Sequence, residues 1–152
     1  MFASLRCGLQ RCGAALSAAP PQPLFLQQLR PMSIHLLTNL TVADNSGAKE
    51  IRCIGHVARK PAKLGDAIRA VVAKARPQGR VSRKDIVRAV VVRQRAPFMR
   101  PDGSQVRFQE NTAVLMKRDG SGPIATRVVG PVARELRAQG YAKVVMMASR
   151  VV

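Results

Sequence analysis

From Leu36 onward the chain alternates short hydrophobic runs with clusters of Gly, Pro, Asp and Asn. Residues 36–42 form the first run, and Asp44-Asn45-Ser46-Gly47 ends it as a turn. Residues 48–57 and 67–75 follow, separated by the basic loop 59–63 and the turn Leu64-Gly65-Asp66. Pro77-Gln78-Gly79 marks another tight turn. Residues 86–94 make the clearest strand, with Val87, Val90, Val91 and Val92 at its heart. Arg100-Pro101-Asp102-Gly103-Ser104 has the composition of a hairpin turn between residues 93–98 and 105–108, and 112–116 give one more strand. Strands this short, broken at such regular spacing, predict a mainly β domain, a small closed barrel or a sandwich. The pattern changes near the end. Residues 131–137, with a proline in the first turn and Gly140 just beyond, predict a short helix, and 144–148 return to strand. The domain shows no internal repeat and no low-complexity segment.

Residues 1–31 stand apart. They carry Arg6, Arg11 and Arg30, while the first acidic residue of the chain is Asp44. An acid-free stretch with spaced arginines and an amphipathic start (Phe2, Leu5, Leu9) reads as a cleavable mitochondrial presequence ahead of a single domain at 32–152. A secretory signal, with residues 12–19 as a short, weakly hydrophobic core, and a plain tail are the alternatives.

Charge then narrows the partner. The chain has 26 Lys and Arg against 8 Asp and Glu, a net charge of +18. Without the three leader arginines, 23 basic residues face 8 acidic ones, a net +15, so the bias belongs to the domain itself. A polyanion relieves that self-repulsion, and neutralising phosphates releases counterions, so nucleic acid is the expected partner. An anionic membrane surface is the competitor, but peripheral binders concentrate charge on an amphipathic helix. No apolar run approaches the roughly 18 residues that span a bilayer.

Catalytic chemistry finds no footing. The acids are scattered singly, and Asp66, Asp85 and Asp102 sit in or beside turns, where Asp commonly bonds local backbone. Ser46, Ser104 and Ser121 lie in turn sequences without a nearby histidine. Cys7 and Cys12 fall in the leader, leaving Cys53 without a disulfide partner; His35 and His56 stand alone, so no metal site or cofactor is expected. The basic residues, by contrast, group: Arg59, Lys60 and Lys63; Arg76, Arg80, Arg83 and Lys84; Arg93, Arg95, Arg100 and Arg107; and Lys117, Arg118 and Arg127. Arginine predominates, and its planar fork grips phosphate oxygens two at a time. Arg93 and Arg95, two apart on a strand, are expected on one face. Outside the leader only Phe98, Phe108 and Tyr141 are aromatic, too few to stack single-stranded bases, so folded RNA held by shape and backbone fits best.

Several motifs, in order, carry a resemblance: Val42-Ala43-Asp44-Asn45-Ser46-Gly47-Ala48, Ala89-Val90-Val91-Val92-Arg93, Arg100-Pro101-Asp102-Gly103-Ser104 with Arg107-Phe108 and Asn111, and Gly130-Pro131-Val132 with Arg134-Glu135-Leu136. Over residues 34–152 the chain resembles the universal large-subunit ribosomal protein fourteen family, in its bacterial and organellar form. The resemblance implies a five-stranded β-barrel with a projecting β-ribbon and short C-terminal helices, and a structural role without catalysis. It implies rRNA contacts, for which Lys49, Arg52 and the first three basic groups are the expected residues, and a place on the intersubunit face with bridges to small-subunit rRNA. Neighbouring ribosomal proteins, including protein nineteen, are implied partners. So is a ribosome-silencing factor docking at Thr126, Arg127 and Lys143. With the leader, it implies the matrix and the mitochondrial ribosome. Ala125 stands where the family has glycine.

Overall fold

β-Branched side chains pack well on a pleated surface, and the valine- and isoleucine-rich runs between residues 48 and 116 become strand. The computed structural model describes residues 33–56 and 61–152. Its strands are β1 (Asn39–Val42), β2 (Ala48–His56), β3 (Ala67–Ala75), β4 (Ile86–Arg93), β5 (Phe98–Met99), β6 (Gln105–Val106), β7 (Thr112–Met116), β8 (Val128–Val132) and β9 (Ala148–Val151). Two short helices, α1 (Glu135–Ala138) and α2 (Ala142–Met146), lie between β8 and β9. β1, β2, β3, β4 and β7 close a barrel in that order. All its pairings are antiparallel except the closure, where β1 runs parallel to β7 with Thr41 opposite Thr112. β5 and β6 form a two-stranded ribbon whose Phe98 and Val106 pack against Leu64, Phe108 and Ala133, and β8 pairs with β9 in parallel.

Alternation sorts the barrel side chains into two cores. Leu40, Ile51, Ile68, Val72, Val91 and Leu115 point inward. Val90, Val92, Val114 and Met116 point outward from β4 and β7 but are covered by Val128, Val132, Leu136 and Val144 of the C-terminal segment. Both faces of β7 and of residues 89–92 of β4 are therefore buried, which is why Val90-Val91-Val92 and the stretch from Ala113 to Met116 read as hydrophobic runs. The outer face of β2, β3 and the start of β4 has no such cover, and there Lys49, Arg52, Arg69 and Arg88 are exposed.

The architecture agrees with the mainly β barrel read from the sequence, and β3 and β7 occupy the expected residues. Four local expectations need correction. The first strand begins at Asn39 instead of residue 36, because Leu37 takes φ 64° in an exposed turn that hands its N–H to the Cys53 carbonyl. The ribbon is cut to two residues a side, since Pro97 has no N–H to donate and Gln94 turns inward, accepting a 3.0 Å bond from the Leu64 N–H. Pro131 lies in β8, opposite Arg150, and the helix starts only at Glu135. Residues 144–146 are helical: Val144 and Val145 donate to the Tyr141 carbonyl, with Val144 buried, and the strand follows at Ala148. Gly140 does follow α1, as expected. The leader 1–31, Val57, Arg59 and Lys60 lie outside the described residues.

Candidate nucleic-acid interface

The turn after β1 is tied down by bonds on both of its sides. One Asp44 oxygen accepts from the Ser46 N–H at 2.9 Å, and the other accepts from Leu115 N–H of β7 at 2.8 Å, so a single carboxylate ties the turn to the barrel. The Gly47 carbonyl then accepts from the Arg76 N–H and the Ser46 carbonyl from the Arg80 N–H, both at 2.8 Å. These bonds clamp the Asp44–Gly47 turn onto the Pro77–Gly79 turn and hold Arg76 and Arg80 beside it. An open cleft of about 470 Å³ results, lined by Asn45, Gly47, Arg76, Gly79 and Arg80, and by Ser46, whose buried hydroxyl has no partner among the described residues. Arg80 leans away to donate 2.7 Å to the Ile124 carbonyl.

Asn45 reaches across to the loop before β8. Its side-chain oxygen accepts from the Thr126 N–H at 3.1 Å and the Arg127 N–H at 3.4 Å, while its amide donates to the Thr126 hydroxyl at 3.2 Å. Thr126 and Arg127 are exposed on that loop, and Lys143 of α2 donates 2.9 Å to Ser121 of the same loop. Ala125 is buried and does not take positive φ, so alanine fits where the resemblance implies glycine.

The remaining expected contact residues divide into two kinds. Lys49 and Arg52 are exposed on β2, Lys63 on the turn before β3, Arg83 and Lys84 on the turn before β4, and Arg107 beyond the ribbon, while Lys117 and Arg118 of the fourth basic group, outside the expected contacts, are exposed on the turn after β7. Arg93 and Arg100 instead serve the protein. Arg93 donates 2.6 Å to Thr112 Oγ1 and 3.2 Å to the Val129 carbonyl, lying so close over Gly130 that a Cβ there would stand 2.6 Å from its Nη1. Burial lowers the Arg93 guanidinium from its ordinary range, opposed by the charge of Glu110. Arg100 pairs with Glu135 and donates 2.8 Å to the Val152 carbonyl, fastening the ribbon to the C-terminal segment. Burial pushes the Glu135 carboxyl up, but its bond to Arg100 and the nearby Arg134 outweigh this and hold it below the usual carboxylate range. Arg93 and Arg95 do not form a shared face: β4 ends at Arg93, and the exposed Arg95 follows the inward-turned Gln94. Asp66 and Asp85 bond local backbone as expected, whereas Asp102 pairs with Arg134 at 3.0 Å.

Sequence grouping missed Arg69 and Arg88. Each stands singly among hydrophobic residues, and only the alternation of β3 and β4 marks them as outward-facing. Among the described residues no three His, Cys, Asp or Glu side chains gather to hold a metal ion, and no helix is long and apolar enough to cross a membrane.

A closed barrel with an arginine-rich wall, its opposite side sealed by C-terminal elements, defines a class of protein made to rest against a polyanion. A family model, described as ribosomal protein L14p/L23e, matches residues 33–152. The chain belongs to that family: it is a structural, non-enzymatic constituent of the large ribosomal subunit, which binds rRNA and works in translation among other ribosomal proteins.

Proposed function

We propose that the chain serves the large subunit of the mitochondrial ribosome, on its intersubunit face, with residues 1–31 as a cleaved leader. One observation carries this: a barrel of the family stands behind an acid-free segment with three spaced arginines. In this reading Lys49, Arg52, Arg59, Lys60, Lys63, Arg76, Arg80, Arg83, Lys84, Arg95 and Arg107 meet rRNA phosphates, and Arg93 and Arg100 brace the parts that present them. Bridges to small-subunit rRNA and contact with protein nineteen belong to the same placement. Fractionation of mitochondrial lysate tests it. The protein is expected to sediment with the large subunit and to lose residues 1–31; recovery mainly in fractions free of RNA would refute the placement.

Thr126, Arg127 and Lys143 form the docking site for a ribosome-silencing factor in this proposal. Support comes from Asn45, which fixes the backbone of Thr126 and Arg127, and from Lys143, which meets the same loop at Ser121. Replacing Arg127 and Lys143 together with alanine is expected to weaken the factor about tenfold or more, as for charged anchors in other interfaces, with assembly into subunits retained. Unchanged affinity in a direct binding assay would remove the site.

A further inference from the structure

We propose that Arg69, Arg88 and Arg118 form a phosphate clamp on the outer barrel wall that grips successive phosphates of folded RNA. The proposal rests on the rRNA-binding reading and names a place on the surface for it. Arg69 of β3 and Arg88 of β4 are register partners, directly opposite one another and both exposed. Side chains so placed have Cβ atoms about 5 Å apart, and like charges there destabilise a sheet. Neither guanidinium has a hydrogen bond or ion pair with a described residue. Arg118, on the turn after β7, brings a third guanidinium to the same open cleft of about 380 Å³, whose other walls are Ile86 and Val87.

No carboxylate lines this cleft. Asp85 beside Ile86 is committed to the Ser82 N–H at 2.9 Å, and Asp119 next to Arg118 makes no ion pair with a described residue. Repulsion is thus built into the free protein and left for an outside anion to neutralise. Three planar forks on one shallow cleft suit the repeated, doubly accepting oxygens of a phosphodiester chain. Ile86, 61% exposed, adds an apolar lip against which a ribose can rest.

The test compares the purified full chain with its Arg69→Gln/Arg88→Gln variant, using large-subunit rRNA as the probe over a range of salt. The variant is expected to bind about tenfold more weakly, with the salt slope of log affinity reduced by about one to two. In the absence of RNA at low salt its melting temperature is expected to rise, because the opposed charges are gone. Unaltered affinity and slope would overturn the clamp, as would a variant that melts lower than the parent. Intact rRNA binding combined with lost capture of an acidic ribosomal protein would assign the cleft to protein and overturn it equally. A parent chain indifferent to rRNA at low salt would defeat the broader reading, a failure distinct from that of the clamp alone.

Discussion

Gly47→Ala is expected to destabilise the protein by about 3 kcal/mol or more, measured by urea unfolding at neutral pH. Gly47 has φ 103°, a conformation that costs an alanine roughly 1–2 kcal/mol. An added Cβ would also stand 2.5 Å from the Gly79 Cα, so one turn must move off the other. Movement breaks the bonds from Arg76 and Arg80 to the Gly47 and Ser46 carbonyls and releases both arginines from their positions. Gly103→Ala provides the comparison. Gly103 has φ 78° but open space around it, so only the conformational part, about 1–2 kcal/mol, is expected. Equal losses at the two positions would contradict the close approach of the turns.

Arg100→Ala is expected to cost about 2–3 kcal/mol, because it strips the Glu135 carboxylate of its ion-pair partner and removes one of the two donors to the Val152 carbonyl, which keeps the Arg134 N–H. The loss falls beneath the roughly 3–5 kcal/mol of a fully buried pair, since the side chains remain 11% and 24% exposed. The loss depends on pH in a fixed direction. Glu135 is held below its ordinary value in the folded state, so the pair's contribution is full above the ordinary glutamate value of about 4.3 and fades as pH falls through the lowered folded value. Parent and variant are therefore expected to converge in acid. A stability gap that stays constant from pH 7 down to about 3 would show that Glu135 is not what Arg100 holds.

The barrel was legible because its strands obey short-range rules. Residues 67–75 alternate and are flanked by turns; residues 113–116 are apolar because both their faces are covered. The C-terminal segment was less legible because its structure is decided by distant partners. The run from Val144 to Met147 has strand composition, yet docking Val144 into the second core makes it helical. Pro131 invites a helix start but sits where the missing N–H costs little, in a two-stranded sheet whose bridge to the barrel side, at Asp44, is made by Val128 instead. Reading the interface failed in a comparable way. Neighbours in sequence, such as Arg93 and Arg95, part company where the strand ends, and Arg100 is drawn in by Glu135, 35 residues later. Arg69 and Arg88 meet only through sheet register, which no linear grouping of charges reveals.

The barrel closes through one strand that fills two vacancies: β7 lies against β1 on one side and β4 on the other. During synthesis, which delivers the chain from its first residue onward, β1 to β4 emerge as a curled sheet with both margins unsatisfied. Arg52, Arg69 and Arg88 of the exterior are thus in place before the interior is sealed, since Ala113 and Leu115 of the inner core arrive only with β7. A half-built chain is already polycationic and still adhesive, so its safe maturation depends on the interval before residue 116 emerges being short or chaperoned.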